Sequence, residues 1–509
     1  MTAAISKKSP QTPSVFPKFC PPSIHGWCYV SNMPLLFERW KNDRSEWVIT
    51  HRAVDLRKPR ALAKPEKFAI PDSRRVHVLT VGGSGSGKSR LLMDDIRRAV
   101  EIGWDLIVID PKGETDRSGL FPVMLEAAMK TGRLEDLAYT DLAVPEVSFR
   151  FNPFSNPFPG DAGLDEVANL LVSMIEKGKE PFFRQQSFKV CKFAVYAYDY
   201  LKRREGKEPV FTISVLQEIT TYEWIKNQVE IFTREAMLDP RGKMISLLGR
   251  SVAELDPKKF EETVSSLSNL MSQIAVGSIR EIIEVKENPV FFRPWKGKGI
   301  LLYLFTASMT LPETSRMFSK LILTWLLTTA GKIYRRDEGR LKRRLLVVVD
   351  EAARAVFPEL INLVDKARGA GVYLHFAAQS VANYDVELGS AARRNELLAN
   401  FGTQIFLYCG DDECTGRYVT EKGGTIVLPE VVKGSGGLGA DGIVREKEVY
   451  VVRPGAVSDL EPPDQERDLG GQFIAFTPDG KDKMRVLTGR VKQIPSAGVR
   501  IRGMKTVRV

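Results

Sequence analysis

The sequence has few of the residues that build metal centres and disulfide frameworks. Its 509 residues include only five cysteines and four histidines, with no CxxC pair and no HExxH motif. Structural zinc sites and disulfide scaffolds need such residues at short, fixed spacings. The sequence therefore argues against both kinds of protein, and its odd number of cysteines favours a reducing compartment.

Long apolar runs are missing as well. The longest uncharged apolar stretch, 321–331, is 11 residues long and lies between Lys320 and Lys332. Because a membrane-spanning helix needs about 20 apolar residues, this stretch is predicted to be a buried helix and the protein to be soluble. No apolar segment follows Lys7 and Lys8, so the start of the chain is not expected to be a secretory signal.

The chain has fewer acidic than basic residues, and this imbalance lies in its two ends. The formal net charge is +11 and the isoelectric point is about 9.2. Residues 1–80 carry 14 basic and 6 acidic side chains, residues 481–509 carry 9 and 1, and the rest of the chain sums to −5. Basic ends suggest an anionic partner such as nucleic acid or a membrane surface, although solubilising tails have the same composition.

The chain does have enough apolar sequence for a large core. Hydrophobic residues make up 43% of it, which excludes a disordered or fibrous protein. Strand, loop, helix and strand patterns follow one another from 76 to 109, and strand patterns resume after 300, so an α/β domain with a mostly parallel sheet is predicted. The predicted parts are a basic irregular arm (1–72), the discontinuous α/β domain (73–160 and 290–480, ending in a small β segment), an all-helical insertion (161–289) and a basic tail (481–509).

The strongest motif is GGSGSGKS, which fits G-x-x-x-x-G-K-[ST] and lies between a predicted strand and a predicted helix. Glycines let successive backbone N–H groups surround a phosphate, and the lysine and the last serine are expected to reach the β- and γ-phosphates and Mg²⁺ respectively. A glycine-rich turn is the alternative interpretation. The predicted nucleotide-binding residues are Gly82, Gly83, Ser84, Gly85, Ser86, Gly87, Lys88 and Ser89.

A second motif is the apolar run 345–349, followed by Asp350 and Glu351. Such a run is typical of a central strand buried on both faces, and ligands of open α/β sheets bind at the carboxyl ends of the strands. Asp350 is therefore predicted to hold Mg²⁺, usually through water, and Glu351 to be the general base that activates a hydrolytic water. Acidic residues that merely favour a helix N-terminus are the alternative.

Two further residues flank the next predicted strand, 372–377. Gln379 follows this strand, which is predicted to lie between the phosphate-loop strand and the Asp350 strand, so its amide could contact the γ-phosphate or the attacking water. Arg368 precedes the strand and could act as an arginine finger in a neighbouring subunit's site. A polar group at a helix start and a surface arginine are the alternatives.

Three features have two interpretations each. Asp110–Glu114 (DPKGE) ends the strand predicted next to the phosphate loop and could contact metal, water or a neighbouring subunit, or could be a capping turn. The basic segment 332–344 could bind nucleic acid or be a solvated helix end. Aromatic residues between 182 and 200 have helical spacing and indicate core packing more than base-stacking platforms.

Taken together, these motifs resemble the type IV secretion coupling proteins, the TraD/TraG-type conjugative ATPases. The resemblance covers roughly 70–490. It rests on the phosphate loop, DPKGE, the helical insertion, VVVDE (347–351), KARGAG (366–371) leading to Gln379, LANFGTQIFLYCGDDECTGRYV (398–419) and PGAVSDLEPPDQERDLGGQFIAF (454–476).

The resemblance implies a RecA-like P-loop ATPase that works as a homo-hexamer and moves conjugative DNA, or a relaxase–DNA complex, to a secretion channel. It implies ATP and Mg²⁺ as ligands and DNA, relaxase and other relaxosome proteins as partners. By position, Lys88 and Ser89 bind the nucleotide, Asp350 and Glu351 act on Mg²⁺ and water, Arg368 is the finger in trans and Gln379 senses the γ-phosphate. The insertion is expected to face the DNA-processing side.

One departure from the family is the lack of an N-terminal transmembrane helix, which many of its members carry. The expectation is a cytoplasmic protein, peripheral at the inner membrane through a separate channel component. Two other functions fit the motifs: a double-stranded DNA pump of the FtsK/HerA type, and a nucleotide-gated adaptor without motor activity. DNA-stimulated ATPase activity separates the adaptor from the motors.

Overall fold

A computed structural model describes the chain over the ranges 46–58, 64–72, 75–114, 119–155, 163–173, 181–234, 239–274, 277–286, 299–335, 341–432, 443–464, 466–478 and 483–492. Short runs rich in valine, isoleucine and leucine form the centre of its large sheet. The strands are β1 (Glu46–Asp55), β2 (Glu66–Pro71), β3 (Val78–Val81), β4 (Asp105–Asp110), β5 (Leu137–Asp141), β6 (Leu301–Phe305), β7 (Leu345–Val349), β8 (Val372–Ala378), β9 (Thr403–Phe406), β10 (Thr425–Val432), β11 (Ile443–Tyr450), β12 (Gln472–Pro478) and β13 (Met484–Arg490).

The large sheet has 11 strands in the order β2-β1-β13-β12-β9-β3-β8-β7-β4-β6-β5. All pairs from β9 to β5 are parallel, whereas the pairs from β2 to β9 are antiparallel. Strands β3, β4, β7 and β8 are buried along their whole length, as expected of parallel strands covered on both faces. The prediction of a mostly parallel α/β sheet is confirmed.

Alternating residues of the central strands face two layers of helices. Leu106 and Val108 face the helices Lys88–Glu101 and Leu120–Lys130. Ile107 belongs to the larger core on the other face, which includes residues of the helix Pro312–Tyr334 and of the insertion. The other helices outside the insertion, among the described residues, are Leu360–Ala367, Ala382–Leu388, Ala391–Ala399 and Glu413–Gly423. Described 3₁₀ turns lie at Leu134–Asp136, Pro145–Val147 and Ala352–Ala355.

Seven helices make up the described part of the insertion, which leaves the sheet after β5 and returns at β6. They are Leu164–Ser173, Pro181–Arg204, Ile213–Ile219, Tyr222–Arg234, Pro240–Ala253, Pro257–Ile274 and Ser278–Ile283. Phe193 is fully buried, and Phe188, Tyr196, Tyr198 and Tyr200 pack partly buried against the same core. The aromatic residues described here therefore serve packing, as their helical spacing indicated.

The structure differs from the sequence prediction at both ends of the chain. Within the predicted irregular arm, Glu46–Asp55 and Glu66–Pro71 form β1 and β2, and β13 lies within the predicted basic tail. The two ends meet, because β1 pairs with β13 in antiparallel fashion. The segments 1–45 and 493–509, which hold the rest of the predicted arm and tail, lie outside the described residues.

The longest apolar stretch lies, as predicted, in a buried helix. Leu321, Trp325 and Leu326 in the helix Pro312–Tyr334 are each no more than 2% exposed. No helix in the described part of the chain is long and apolar enough to cross a membrane.

Candidate nucleotide site

The phosphate loop connects the buried strand β3 to the helix Lys88–Glu101. Gly82 N–H donates to the carbonyl of Ala378 at 3.1 Å, and Gly83 N–H donates to the carbonyl of Tyr408 at 2.7 Å. The loop is therefore attached to the strand on each side of β3. Gly87 has φ of 98°, a left-handed conformation that favours glycine, immediately before the helix begins.

Two side chains of the loop have the chemistry to hold phosphate. Lys88 is only 6% exposed, and its Nζ donates to the carbonyls of Gly82 and Gly83 at 2.6 and 2.8 Å. Burial lowers the pKa of Lys88, and the negative charge of Asp350 partly offsets that effect. The Ser86 hydroxyl is buried without a hydrogen-bond partner among the described residues. A buried ammonium and a buried hydroxyl without a partner suit a bound phosphate.

The two predicted catalytic carboxylates follow β7. Asp350 is 4% exposed, and its N–H donates to the carbonyl of Ile109 on β4 at 3.1 Å. Glu351 has φ of 48°, and its N–H donates to Asp350 Oδ1 at 2.9 Å. The Glu351 side chain is 14% exposed, so one carboxylate is buried and the other can reach water.

Gln379 lies next to Glu351, because β8 lies between β3 and β7 as the sequence predicted. Its Nε2 donates to Glu351 Oε1 at 3.3 Å. An amide placed between the phosphate loop and the carboxylates can orient a water or a phosphate oxygen between them. The structure thus brings together the phosphate loop, Asp350, Glu351 and Gln379; their roles in the reaction stay predictions.

Lys112 is the functional candidate that sequence reasoning did not single out. Its Nζ lies 3.6 Å from Asp350 Oδ2 and 3.7 Å from Glu351 Oε1. Burial alone would lower the pKa of Lys112, but the negative charges of Asp350 and Glu351 outweigh burial and raise it. Asp110 fixes the turn by accepting from the N–H groups of Lys112 and Gly113 at 2.9 and 3.2 Å.

The position of this turn corrects one expectation. β4 does not lie beside the phosphate-loop strand; β8 and β7 separate them, and β4 pairs with β7 and β6. The reason is that the chain, after the helix Lys88–Glu101, does not form the strand next to β3. It crosses to a position two strands further along the sheet, and β8 and β7 later fill the gap. DPKGE therefore faces the carboxylates rather than the phosphate loop.

Arg368 lies at the opposite edge of the sheet from these residues. It is exposed and follows the helix Leu360–Ala367, just before β8 begins. The phosphate loop and Glu351 lie at the carboxyl ends of the parallel strands, whereas Arg368 lies at their amino ends. It is therefore remote from the site of its own chain, and its predicted role in trans stays a prediction.

Magnesium would have few protein ligands here. The described residues contain no group of three or more histidine, cysteine, aspartate or glutamate side chains that could hold a metal ion. Mg²⁺ commonly binds through one or two side chains, waters and substrate phosphates. Ser89, which is half-buried, and Asp350 are the residues that fit such a site.

Two residues of the basic segment before β7, Lys332 and Arg344, have structural partners. Lys332 is 8% exposed and lies 3.3 Å from Glu166 of the insertion. Arg344 lies over the rings of Trp104 and Tyr373 and donates to the carbonyl of Asp72 at 2.5 Å. These contacts favour a structural role for both residues.

Comparison with known proteins identifies one family within the chain. Residues 344–435 match the family described as the TraM recognition site of TraD and TraG. This segment includes Asp350, Glu351, Arg368 and Gln379. The match confirms the resemblance that the motifs indicated. No curated protein sequence matches the chain.

Solved structures of coupling proteins have a similar fold. The unbound monoclinic form of the bacterial conjugative coupling protein TrwBdeltaN70 matches with a TM-score of 0.54 and 14% identity, over 89% of this chain and 97% of that one. Plasmid coupling protein TrwB in complex with ADP and Mg²⁺ matches with a TM-score of 0.50 and 14% identity, over 90% of this chain and 96% of that one. TrwB in complex with the ATP analogue ADPNP matches with a TM-score of 0.50 and 15% identity, over 84% of this chain and 87% of that one. The chain therefore has the fold of these coupling-protein structures, in agreement with the predicted α/β fold.

Proposed function

We propose that this chain is an ATP-hydrolysing motor that couples conjugative DNA, or a relaxase–DNA complex, to a type IV secretion channel. The observation that carries the proposal is the match of residues 344–435 to the TraM recognition site of TraD and TraG. That segment contributes Glu351 and Gln379 to a site beside the phosphate loop. The likeness of the fold to TrwB, a conjugative coupling protein, supports the same conclusion.

ATP and Mg²⁺ are the proposed ligands, since TrwB has been solved with ADP and Mg²⁺ and with an ATP analogue. In this chain the loop N–H groups and Lys88 would hold the β- and γ-phosphates, and Ser89 and Asp350 would hold the metal. Glu351 would accept the proton of the attacking water, which Gln379 would orient. Lys112 would hold the Glu351 carboxylate in place.

The proposed partners follow from the same likeness. We place recognition of relaxosome proteins within 344–435 and propose that the active form is a homo-hexamer that acts on DNA. In such a ring, each site lies at an interface and is completed by a neighbouring Arg368. A cytoplasmic position beside a separate inner-membrane channel component remains part of this proposal.

The test is ATP hydrolysis by the purified full chain, with and without DNA, on samples of known hexamer content. We expect DNA to stimulate the wild-type rate several-fold. Lys88→Ala should abolish both nucleotide binding and hydrolysis, because the buried ammonium is lost. Glu351→Gln should still bind ATP but hydrolyse it roughly 10²-fold more slowly, because it removes the general base.

The outcomes separate the alternatives. Hydrolysis by Lys88→Ala at the wild-type rate would contradict the site, and fast turnover by Glu351→Gln would contradict the assigned base. ATP binding without DNA-stimulated hydrolysis would favour the nucleotide-gated adaptor. Conjugative transfer that is lost in Lys88→Ala cells would distinguish the coupling motor from a segregation pump.

A further inference from the structure

A loop near the end of the described chain packs directly on the phosphate loop, and the proposed mechanism gives it no role. It spans 461–471, and the structure describes all of its residues except 465. A Cβ added to Gly87 would lie 2.9 Å from Cγ of Pro463, and one added to Gly471 would lie 2.9 Å from the carbonyl oxygen of Ser86. There is therefore no room for a side chain between the two loops.

Hydrogen bonds brace the 461–471 loop at its base and near its tip. Glu461 and Gln472 are joined twice: Glu461 N–H donates to Gln472 Oε1 at 3.1 Å, and Gln472 N–H donates to the carbonyl of Glu461 at 2.8 Å. Arg490 on β13 pairs with the Glu461 carboxylate. Near the tip, Asp464 and Leu469 exchange backbone hydrogen bonds of 2.9 and 2.8 Å. A loop braced in this way presents a preorganised surface.

The order of the strands shows which end of a nucleotide this loop faces. On one side of β3 lie β8 and β7, which carry Gln379 and Glu351; on the other side lie β9 and β12. The start of β12 lies at the same edge as the phosphate loop, since Ile474 pairs with Phe406 and Phe406 pairs with Val81. A nucleotide whose terminal phosphate faces Glu351 extends its nucleoside away from β7, towards the loop that precedes β12.

We propose that the 461–471 loop is the wall against which the nucleoside of the bound nucleotide packs, with Leu469 as its apolar contact to the base. Leu469 has the one large aliphatic side chain in this loop, and 37% of it is exposed. Bases have apolar faces that pack on such side chains in ligand sites. The inference rests on the proposed nucleotide site and identifies the part of it that recognises more than phosphate.

The test compares a ligand that has a nucleoside with one that lacks it. ADP and inorganic tripolyphosphate, each with Mg²⁺, are titrated by calorimetry into the full-length wild type and three variants. Leu469→Ala should weaken ADP binding about tenfold and leave tripolyphosphate binding within about twofold, because only the contact to the base is lost. Leu469→Met, which keeps the apolar volume, should restore ADP affinity. Val427→Ala, which truncates an exposed aliphatic residue of β10, is the matched control and should bind both ligands as the wild type does.

Three results would overturn the inference. Equal weakening of both ligands by Leu469→Ala would mean that the loop only supports the phosphate loop. Unchanged binding of both ligands would mean that Leu469 makes no contact with the base. If the wild type binds neither ADP nor tripolyphosphate, the proposed function itself fails, and the inference fails with it.

Discussion

Glu351 adopts a left-handed backbone conformation that residues other than glycine rarely take, with φ of 48°. Such a conformation costs about 1–3 kcal/mol and persists where the surroundings enforce it, often at active sites. Here β7 is buried along its length and the Asp350 carboxylate accepts from Glu351 N–H, so the turn is held on both sides. The backbone therefore supports a functional role for Glu351 independently of the sequence motif.

Replacing Lys112 by methionine should slow ATP hydrolysis about tenfold with little change in KM, because the ammonium acts on Glu351 and not on the phosphate loop. Steady-state kinetics with ATP measure kcat and KM for the wild type and the variant.

The control for this prediction is Lys342→Met, which removes an exposed lysine at the other edge of the sheet. It should leave the rate of ATP hydrolysis unchanged. A Lys112→Met enzyme with the wild-type rate would show that the ion pairs to Asp350 and Glu351 do not influence the reaction.

His77 should make stability depend on pH. It is 3% exposed; Leu374 N–H donates to its Nδ1 at 3.0 Å, and its Nε2 lies 3.1 Å from the Val364 carbonyl, an arrangement that suits the neutral ring. Burial, with smaller contributions from the charges of Arg368 and Arg75, lowers the pKa of His77 to about 4. Because the folded pKa lies below the unfolded value, this contribution is complete above about pH 6.5 and is lost as the pH falls towards 4.

The measurement is the free energy of unfolding in urea for the wild type and for His77→Gln, which can still donate to Val364 but does not titrate. Between about pH 7 and pH 4 the wild type should lose about 3 kcal/mol more than the variant. Other groups with shifted pKa values, such as Asp105, are present in both proteins and cancel in the difference. His51→Gln, at an exposed position, should follow the wild type; parallel pH profiles for wild type and His77→Gln would contradict the prediction.

At the scale of elements, the sequence predicted the short apolar strands of the central sheet and a small β segment near the end of the α/β domain, but it missed β1 and β2. β3, β7 and β8 are short apolar runs next to recognisable motifs, so both their type and their place in the sheet could be predicted. Buried and exposed positions do not alternate regularly along β1. Both β1 and β13 also contain basic side chains. The two strands pair with each other although they lie at opposite ends of the sequence. A local sequence pattern cannot reveal such a long-range pairing.

The candidate site was predictable to the same extent. The phosphate loop, Asp350, Glu351 and Gln379 each follow a strand directly, so the rule for carboxyl ends of parallel strands brings them together. Lys112 could not be assigned, because its contact with Glu351 depends on β4 pairing with β7. The contact of Pro463 with Gly87 likewise depends on the antiparallel return of β12.

Trp47 tests whether β1 belongs to the fold. It is 1% exposed, its Nε1 donates to Asp94 Oδ2 at 2.9 Å, and its ring lies under the guanidinium of Arg75, 4.8 Å from Cζ. Trp47→Ala should lower the free energy of unfolding by about 3–5 kcal/mol, because it leaves a cavity in the core and removes a hydrogen bond to Asp94. Urea unfolding measures this change.

Tyr450→Ala is the matched control, since this aromatic residue of β11 is 57% exposed. It should change the free energy of unfolding by less than about 0.5 kcal/mol. A similarly small change for Trp47→Ala would mean that the segment before β3 is an accessory arm after all.

At the scale of the whole molecule, part of the basic charge at the two ends is used within the fold. Arg485 on β13 pairs with Glu66 on β2, and Lys492 lies 3.0 Å from Asp94 in the helix that follows the phosphate loop. Arg75 forms a buried ion pair with Asp95. These cations are neutralised internally, so the positive surface that they offer to an anionic partner is smaller than the sequence total suggests.

The position of Arg368 makes a prediction about the assembly. It is exposed at the amino ends of the parallel strands, whereas Glu351 lies at their carboxyl ends, so one chain cannot bring the two together. A ring in which the amino edge of one subunit faces the carboxyl edge of the next would do so. Arg368→Ala should then lose at least about tenfold in hydrolysis while it still binds ATP.

Mixing two inactive proteins tests whether Arg368 acts in trans. In hexamers of Glu351→Gln and Arg368→Ala subunits, a site is complete where an Arg368→Ala subunit, with its own Glu351, receives Arg368 from a Glu351→Gln neighbour. Random assembly of equal amounts should therefore restore about a quarter of the wild-type rate. Arg234→Ala, which changes an exposed arginine of the insertion, is the control. Alone it should hydrolyse ATP at the wild-type rate, and mixing it with the wild type should not change that rate. Mixed hexamers that stay inactive would show that Arg368 does not act on a neighbouring site.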